Sequence, residues 1–206
     1  MRVFLTGGSG YLGARLIGAL AARGWVDEIV SLDVRPPPER LAKLTHVDGS
    51  VTADFDDLLA PPFDVALHLA WSVDPLRDAR RQREICIGGT ERFLRACAKG
   101  RVPRVLFFSS ATAYGAHPDN RELLDESAPL RPKFHFQYSA EKREAEGLVD
   151  GFARAHPDAV VQVVRPTVVA GPGVDNFIFR TMRQRLSVRP RGASPRLQLV
   201  LELVDA

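Results

Sequence analysis

Three glycines spaced three residues apart constrain the fold of this chain more than any other feature. They are Gly7, Gly10 and Gly13, and they lie between a short apolar run, Arg2–Thr6, and an amphipathic pattern, Tyr11–Arg23. Glycines at this spacing permit a tight turn, a close approach of the backbone to an anion, and close packing of helix on strand. The segment therefore predicts the first strand, loop and helix of a parallel α/β sheet.

The alternation of strand and helix patterns continues along the chain. The candidate strands are Arg2–Thr6, Glu28–Asp33, Leu44–Val47, Asp64–Leu69, Arg104–Ser109 and Val160–Arg165. Longer helical patterns cover Tyr11–Arg23, Ala79–Lys99 and Tyr138–Ala155. Such an order predicts an α/β fold, a doubly wound parallel sheet with helices on both faces. The continuous apolar character of Val105–Phe108 and Val160–Val164 further predicts strands that are buried on both sides.

An acidic residue at the end of the second strand completes a dinucleotide-binding pattern. Asp33 follows Gly13 by 20 residues, at the distance where a carboxylate accepts hydrogen bonds from the hydroxyls of an adenosine ribose. A carboxylate at this place repels a 2′-phosphate, which favours NAD over NADP. Arg35 leaves the alternative open, because its side chain could turn inward and neutralise that phosphate instead of lying in solvent.

Three further side chains predict the chemistry. Tyr138 and Lys142 are four residues apart at the start of a predicted helix, hence on one face. A cation near a phenol lowers its pKa, so that the phenol exchanges a proton nearer to neutral pH. Ser110 follows the fifth strand, at the edge where open α/β sheets bind ligands. We therefore expect hydride transfer at a substrate hydroxyl, with Tyr138 as acid/base, Lys142 tuning it and Ser110 positioning the oxygen.

These motifs together resemble the extended short-chain dehydrogenase/reductase family, which includes sugar-nucleotide epimerases and dehydratases. The segments that resemble it are TGGSGYLG at 6–13, HLAW at 68–71, SSATAYG at 109–115, YSAEK at 138–142 and RPTVVAGPG at 165–173. The resemblance implies a Rossmann fold and an NAD-dependent epimerase, dehydratase or dehydrogenase acting on a sugar nucleotide or related small molecule. It also implies a homodimer that pairs through Ala79–Lys99 and Tyr138–Ala155.

The resemblance assigns site residues one by one. Those implied to bind the cofactor are Gly7, Gly10, Tyr11, Leu12, Gly13, Asp33, Ser50, Val51, Leu69, Ala70, Trp71, Tyr138, Lys142, Pro166 and Thr167. Those implied to bind substrate are Ser110, Thr112, Tyr138 and Asn176. Two positions depart from the family pattern: Ser50 stands where an Asp facing the adenine is usual, and Cys86 where a helix Asn is usual.

The strand and helix pattern weakens after Gly173. Asn176–Leu186 resembles a helix and Leu197–Val204 a further strand, separated by an Arg/Pro-rich loop. We expect residues 1–173 to form the NAD(P)-binding Rossmann domain and 174–206 to begin a substrate-binding region that is incomplete. A truncated member, or a pocket completed by another chain, would each account for this pattern.

Other classes of function find less support in the sequence. A net charge of +3, with arginines spread along the chain, argues against nucleic-acid binding. The five histidines lack metal-ligand spacing, and His68 is interpreted as a packed, hydrogen-bonded residue. No apolar stretch approaches the roughly 20 residues of a membrane span, and the start of the chain resembles a strand rather than a signal peptide, so we expect a cytoplasmic protein. A non-catalytic dinucleotide-binding sensor or scaffold remains the alternative to an enzyme.

Overall fold

Six parallel strands form one sheet in the computed structural model, which describes residues 1–60, 62–133, 135–175 and 180. The strands are β1 (Arg2–Thr6), β2 (Glu28–Asp33), β3 (Leu44–Asp48), β4 (Val65–His68), β5 (Arg104–Phe108) and β6 (Val160–Val164). Their order across the sheet is β3-β2-β1-β4-β5-β6. This is the strand order of a Rossmann fold, and it confirms the predicted doubly wound sheet.

Helices pack on both faces of this sheet. They are α1 (Tyr11–Ala21), α2 (Ala79–Arg83), α3 (Gly89–Lys99) and α4 (Gln137–Ala155), with 3₁₀ turns at Asp56–Leu59 and Ala111–Tyr114. Successive residues of β1 point to opposite faces: Phe4 lies in one apolar cluster, while Val3 and Leu5 lie in the other. The two clusters account for the strongly apolar central strands.

The sheet changes winding direction at β1, and this point creates a crevice. Thr6 at the end of β1 is paired on one side with Leu32 of β2 and on the other with His68 of β4. The connections that leave β1 and β4 run over opposite faces, so the carboxyl ends of these strands border an open cleft. Ligands of open α/β sheets bind in such clefts.

The helix predicted over Ala79–Lys99 is interrupted by one π-helical turn, Glu84–Gly88, between α2 and α3. The hydroxyl of Thr90 in α3 donates to the carbonyl of Cys86 in this turn at 2.6 Å. A Cβ on Gly89 would lie only 2.7 Å from Val51 Cγ2, so glycine lets α3 pack closely against the turn that follows β3 here. π turns are frequent at functional sites.

The prediction that β6 is buried on both faces is wrong for the described part of the chain. Val161 and Val163 pack against the core, but Val160 and Val164 are 56% and 37% exposed. β6 is the edge strand of the described sheet, pairing with β5, and only its core-facing residues are covered. The strand and helix predicted over Leu197–Val204 and Asn176–Leu186 lie outside the described residues, Arg180 excepted.

No helix among the described residues is both long enough and apolar enough to cross a bilayer.

Candidate active site

The glycine loop lies wedged between the ends of three strands. Gly7 has a φ of 78°, and its N–H donates to the carbonyl of Leu32 at 3.0 Å. A Cβ on Gly7 would lie 2.5 Å from the backbone nitrogen of Ala70, and one on Gly13 would lie 2.3 Å from the Gly7 carbonyl oxygen. The tight turn at Gly7 and the close packing at Gly13 that the sequence predicts are therefore present.

Gly7→Ala is expected to destabilise the chain, because alanine is strained at this φ and its methyl would collide with backbone. Gly18→Ala is the matched control, since nothing lies within 4 Å of a Cβ at this helical position. Alanine there should stabilise α1 by up to about 1 kcal/mol. Urea unfolding of both variants measures the difference; equal stabilities would contradict the role given to Gly7.

The amino end of α1 is open toward the cleft. Its N-cap is Gly10, with no side-chain cap and no acidic residue in the first turn of this described helix. The first hydrogen bond within the helix runs from the Ala14 N–H to the Gly10 carbonyl. The N–H groups of Tyr11, Leu12 and Gly13 therefore have no acceptor in the helix and face outward with the positive end of the helix dipole. A phosphate-bearing group fits this cradle.

Asp33 lies beside this cradle at the end of β2. Its two carboxylate oxygens accept backbone N–H groups from Ser9 at 2.9 Å and Arg35 at 3.0 Å. Each oxygen keeps a free lone pair for a ribose hydroxyl. The Arg35 guanidinium lies 4.0 Å from the position of a Cβ on Gly10, so it extends over the loop, and the alternative of a phosphate contact remains open.

The other residues implied to bind the cofactor surround the same cleft. The N–H groups of Leu69 and Ala70 donate to the carbonyl and hydroxyl oxygens of Thr6, at 3.1 and 3.4 Å. The Ser50 hydroxyl is engaged with that of Thr52 at 2.9 Å, and Val51 is buried against the core. Ser50 therefore stabilises a local turn.

Residues after β6 reach the cleft as well. The carbonyl of Pro166 accepts the Ala111 N–H at 2.9 Å, which ties this segment to the turn after β5. Thr167 is exposed. Asn176, assigned to the substrate site from the sequence, lies outside the described residues.

Ser110 and Tyr138 are brought together by the turn after β5. Ser110 caps the turn Ala111–Tyr114, and its Oγ accepts the N–H and the hydroxyl of Thr112 at 3.2 and 3.0 Å. The Ser139 hydroxyl donates to the Thr112 carbonyl at 2.7 Å and fixes the start of α4 against this turn. Tyr138 is thereby placed within hydrogen-bonding reach of Ser110.

The expectation that Lys142 lowers the pKa of Tyr138 is not met by this geometry. Burial raises the pKa of Tyr138, and the hydrogen bond with Ser110 opposes this only in part. The Lys142 ammonium nitrogen donates to the Phe108 carbonyl at 2.6 Å and lies 5.8 Å from the centre of the Tyr138 ring. Because burial outweighs the hydrogen bond with Ser110, the phenol stays protonated at neutral pH.

Burial also lowers the pKa of Lys142 itself, to about 7, while Cys86 and Glu146 oppose the shift. An ammonium group that leaves water loses its hydration, so its neutral form is favoured. Lys142 therefore changes charge in the neutral pH range, and its immediate surroundings decide at which pH.

His68 is the packed residue expected from the sequence. Its Nδ1 lies 2.7 Å from the Thr6 hydroxyl and its Nε2 lies 3.2 Å from the Thr90 hydroxyl. The Thr90 hydroxyl already donates to Cys86, so Nε2 carries the proton and Nδ1 accepts from Thr6. Burial lowers the pKa of His68 to about 3, and the neutral ring ties β4 to β1 and α3.

A small cavity of about 220 Å³ lies beside Tyr138. It is lined by Val73, Pro75, Gln82, His135, Phe136, Gln137 and Tyr138. The amides of Gln82 and Gln137 donate to the buried Glu141 carboxylate at 3.1 and 2.8 Å, which leaves the cavity walls largely apolar. No sequence motif indicates these glutamines, since they lie 55 residues apart.

One protein-family model matches most of the chain. The model of the NAD dependent epimerase/dehydratase family matches residues 3–196. The chain belongs to this family.

Relatives of this member of the epimerase/dehydratase family include two oxidoreductases. One is the 4-hydroxy-2-methyl-3-oxo-4-farnesyl-3,4-dihydroquinoline-1-oxide ketoreductase of Stigmatella aurantiaca, 32% identical over 86% of this chain and 53% of the relative. The other is a 3-beta-hydroxysteroid dehydrogenase of Mycolicibacterium neoaurum, 31% identical over 87% of this chain and 50% of the relative. The chain thus spans about half the length of these relatives.

A solved structure, MoeE5 in complex with UDP-glucose and NAD, superimposes with a TM-score of 0.73 at 28% identity. The match covers 93% of this chain and 62% of that protein. At this similarity and coverage the two proteins share the Rossmann architecture.

The sequence analysis of this epimerase/dehydratase family member did not predict the ion pair between Arg165 and the buried Glu146. Arg165, after β6, contacts both oxygens of Glu146 on α4, with the shortest distance at 2.7 Å, and donates to the Tyr114 hydroxyl at 2.9 Å. Glu146 also accepts the Ser109 hydroxyl. The position of Glu146 four residues after Lys142, on the same helix face, is the one signal that could have indicated it.

Proposed function

We propose that this chain is the cofactor-binding and catalytic part of an NAD-dependent oxidoreductase that acts on a secondary hydroxyl or keto group. The observation behind the proposal is that Ser110, Tyr138 and Lys142 come together at the carboxyl end of β5, the same edge of the parallel sheet that carries the glycine loop and the open amino end of α1. NAD, when bound, supplies the hydride acceptor or donor. Residues 1–173 would form the cofactor-binding domain and 174–206 the start of the substrate-binding region.

Ser110, Tyr138 and Lys142 have different roles in this proposal. Ser110 donates a hydrogen bond to the reacting oxygen, and Tyr138 moves a proton to or from the same oxygen. Because burial raises the pKa of Tyr138, the form present at neutral pH is the phenol, which is a proton donor suited to reducing a carbonyl. The reverse direction requires loss of that proton, which a charged Lys142 favours.

The first substrate class we propose is a sugar nucleotide, with epimerase, dehydratase or dehydrogenase as the net reaction. The support is the family membership and the structural similarity to MoeE5 in complex with UDP-glucose and NAD. Thr112 beside Ser110 would contact the substrate, as would Asn176.

The cavity beside Tyr138 favours a second candidate, an uncharged alcohol or ketone with an apolar ring. Neither Lys nor Arg is among the described residues that line this cavity, and Val73, Pro75 and Phe136 supply apolar walls. Its volume is below the roughly 300–1,000 Å³ of a typical ligand pocket, so it would hold one ring. The ketoreductase and hydroxysteroid dehydrogenase relatives support this class.

Calorimetric titration with NAD, and separately with NADP, tests the cofactor assignment. We expect NAD to bind more tightly than NADP, and Asp33→Ala to weaken NAD binding by about 10- to 100-fold, because hydrogen bonds to a charged acceptor contribute about 1.5–3 kcal/mol. Arg35→Ala is the matched control, expected to leave NAD binding nearly unchanged. No binding of either dinucleotide would contradict the proposal.

Turnover assays then separate the substrate classes. NADH formation or consumption would be followed with a panel of UDP-sugars and with a panel of alicyclic alcohols and ketones. Activity confined to one panel selects that class, and activity with neither argues for the sensor or scaffold alternative. The homodimer expected from the sequence stays a prediction, which sedimentation of the purified chain tests.

A further inference from the structure

Lys142 is an ammonium group buried without a carboxylate partner. Its side chain is 3% exposed, and none of the ion pairs among the described residues includes it. One N–H donates to the Phe108 carbonyl at 2.6 Å. A desolvated cation with a single acceptor requires further stabilisation.

The face of Trp71 provides that stabilisation. The Lys142 nitrogen lies 3.5 Å from the centre of the indole ring, against 5.2 Å for Phe107 and 5.8 Å for Tyr138. Attraction between a cation and an aromatic face is strongest with Trp and increases when the pair is desolvated. Trp71 is therefore the dominant aromatic partner of Lys142.

Trp71 is itself held in place by the site. Its ring packs edge-on against Tyr138 at 6.4 Å and against Phe107 at 6.2 Å between ring centres. It lies three residues after His68, the last residue of β4, at the carboxyl edge of the sheet. The indole thus contacts both members of the Tyr138–Lys142 pair.

We propose that Trp71 is a positioning residue: its indole face holds the ammonium group of Lys142 beside Tyr138 and extends the pH range over which Lys142 stays charged. This inference rests on the proposed function, since it takes Tyr138 as the acid/base group. Trp71 acts through Lys142.

Several other titratable groups face Lys142 from the surrounding elements. They are His68 from β4, Cys86 from the π turn, Tyr138, Glu141 and Glu146 from α4, and Arg165, which is paired with Glu146. Burial lowers the pKa of His68 to about 3 and raises that of Cys86 to about 12, so neither changes charge near neutrality. Glu141 is hydrogen-bonded to two glutamines and Glu146 to Arg165.

The sign of the expected effect follows from the form that Trp71 stabilises. An aromatic face favours the ammonium over the neutral amine and so raises the pKa of Lys142 against burial. Removal of the indole lowers the pKa of Lys142 further. If turnover needs the ammonium, the alkaline decline of activity then moves to lower pH.

Tryptophan fluorescence tests the contact without substrate or cofactor. Trp25 and Trp71 are the two tryptophans, and Trp25 is 57% exposed, so Trp25→Phe leaves Trp71 as the single reporter. We expect its emission to titrate with a midpoint near neutral pH, and to lose this titration when Lys142→Met or Lys142→Arg is added. An emission that does not titrate, or titrates equally in both added variants, overturns the proposal.

The pH profile of turnover tests the positioning role. Trp71→Leu should move the alkaline limb of kcat to lower pH by about one unit, and Trp71→Phe, which keeps a weaker face, by about half of that. A merely structural role would lower kcat equally at every pH and would overturn the proposal. If the fluorescence titration occurs but no turnover is found, the proposed function fails while the Trp71–Lys142 contact is supported.

Discussion

Tyr138→Phe is expected to lower turnover by about 10²- to 10⁴-fold, the contribution of a positioned acid/base group, while NAD binding stays nearly intact. The change removes only the phenol hydroxyl that bonds to Ser110. The ring remains to pack against Phe136 at 5.8 Å and against Trp71. Initial rates and calorimetric titration of the same preparation separate the two effects.

Tyr114→Phe is the matched control for this loss of a hydroxyl. Tyr114 bonds to Arg165 and lies on the turn beside Ser110, so its variant should keep most of the activity. Comparable rates in Tyr138→Phe and in the unaltered chain would exclude Tyr138 as the acid/base group. Binding of NAD without turnover in any of the three proteins would favour the sensor or scaffold alternative.

Arg165→Met is expected to cost about 3 kcal/mol of unfolding free energy, because it leaves the charge of Glu146 buried without its paired cation. The side chain of Glu146 is 2% exposed, and Arg165 engages both of its oxygens. The pair joins the end of β6 to α4, so its loss also loosens the strand edge. Urea denaturation with two-state analysis measures the change.

The same substitution at an exposed arginine controls for the lost side chain. Arg95 pairs with Asp56 on the surface, where solvent screens the attraction, so Arg95→Met should cost far less than Arg165→Met. Equal losses at the two positions would mean that burial of Glu146 contributes nothing, contrary to the role assigned to the pair.

The sequence was sufficient to predict the sheet. Each strand was located within one or two residues at either end, because a strand buried by helices must be apolar along its length. The burial of β6 is the exception. Its continuous apolar run did not reveal that Val160 and Val164 are exposed at the edge of the described sheet. Apolar residues indicate a strand, but only the neighbouring elements decide which faces are covered.

Local motifs also located the glycine loop, Asp33 and the pair Tyr138 and Lys142, since spacing along one loop or one helix fixes their relative positions. The sequence by itself therefore determined the fold, the cradle at the amino end of α1 and the candidate chemistry. Tertiary structure alone decided the charge properties of the site. Ionisation depends on burial and on partners distant in the sequence, and Trp71, Glu146 and Arg165 become neighbours of the reacting groups only when the sheet and helices pack together.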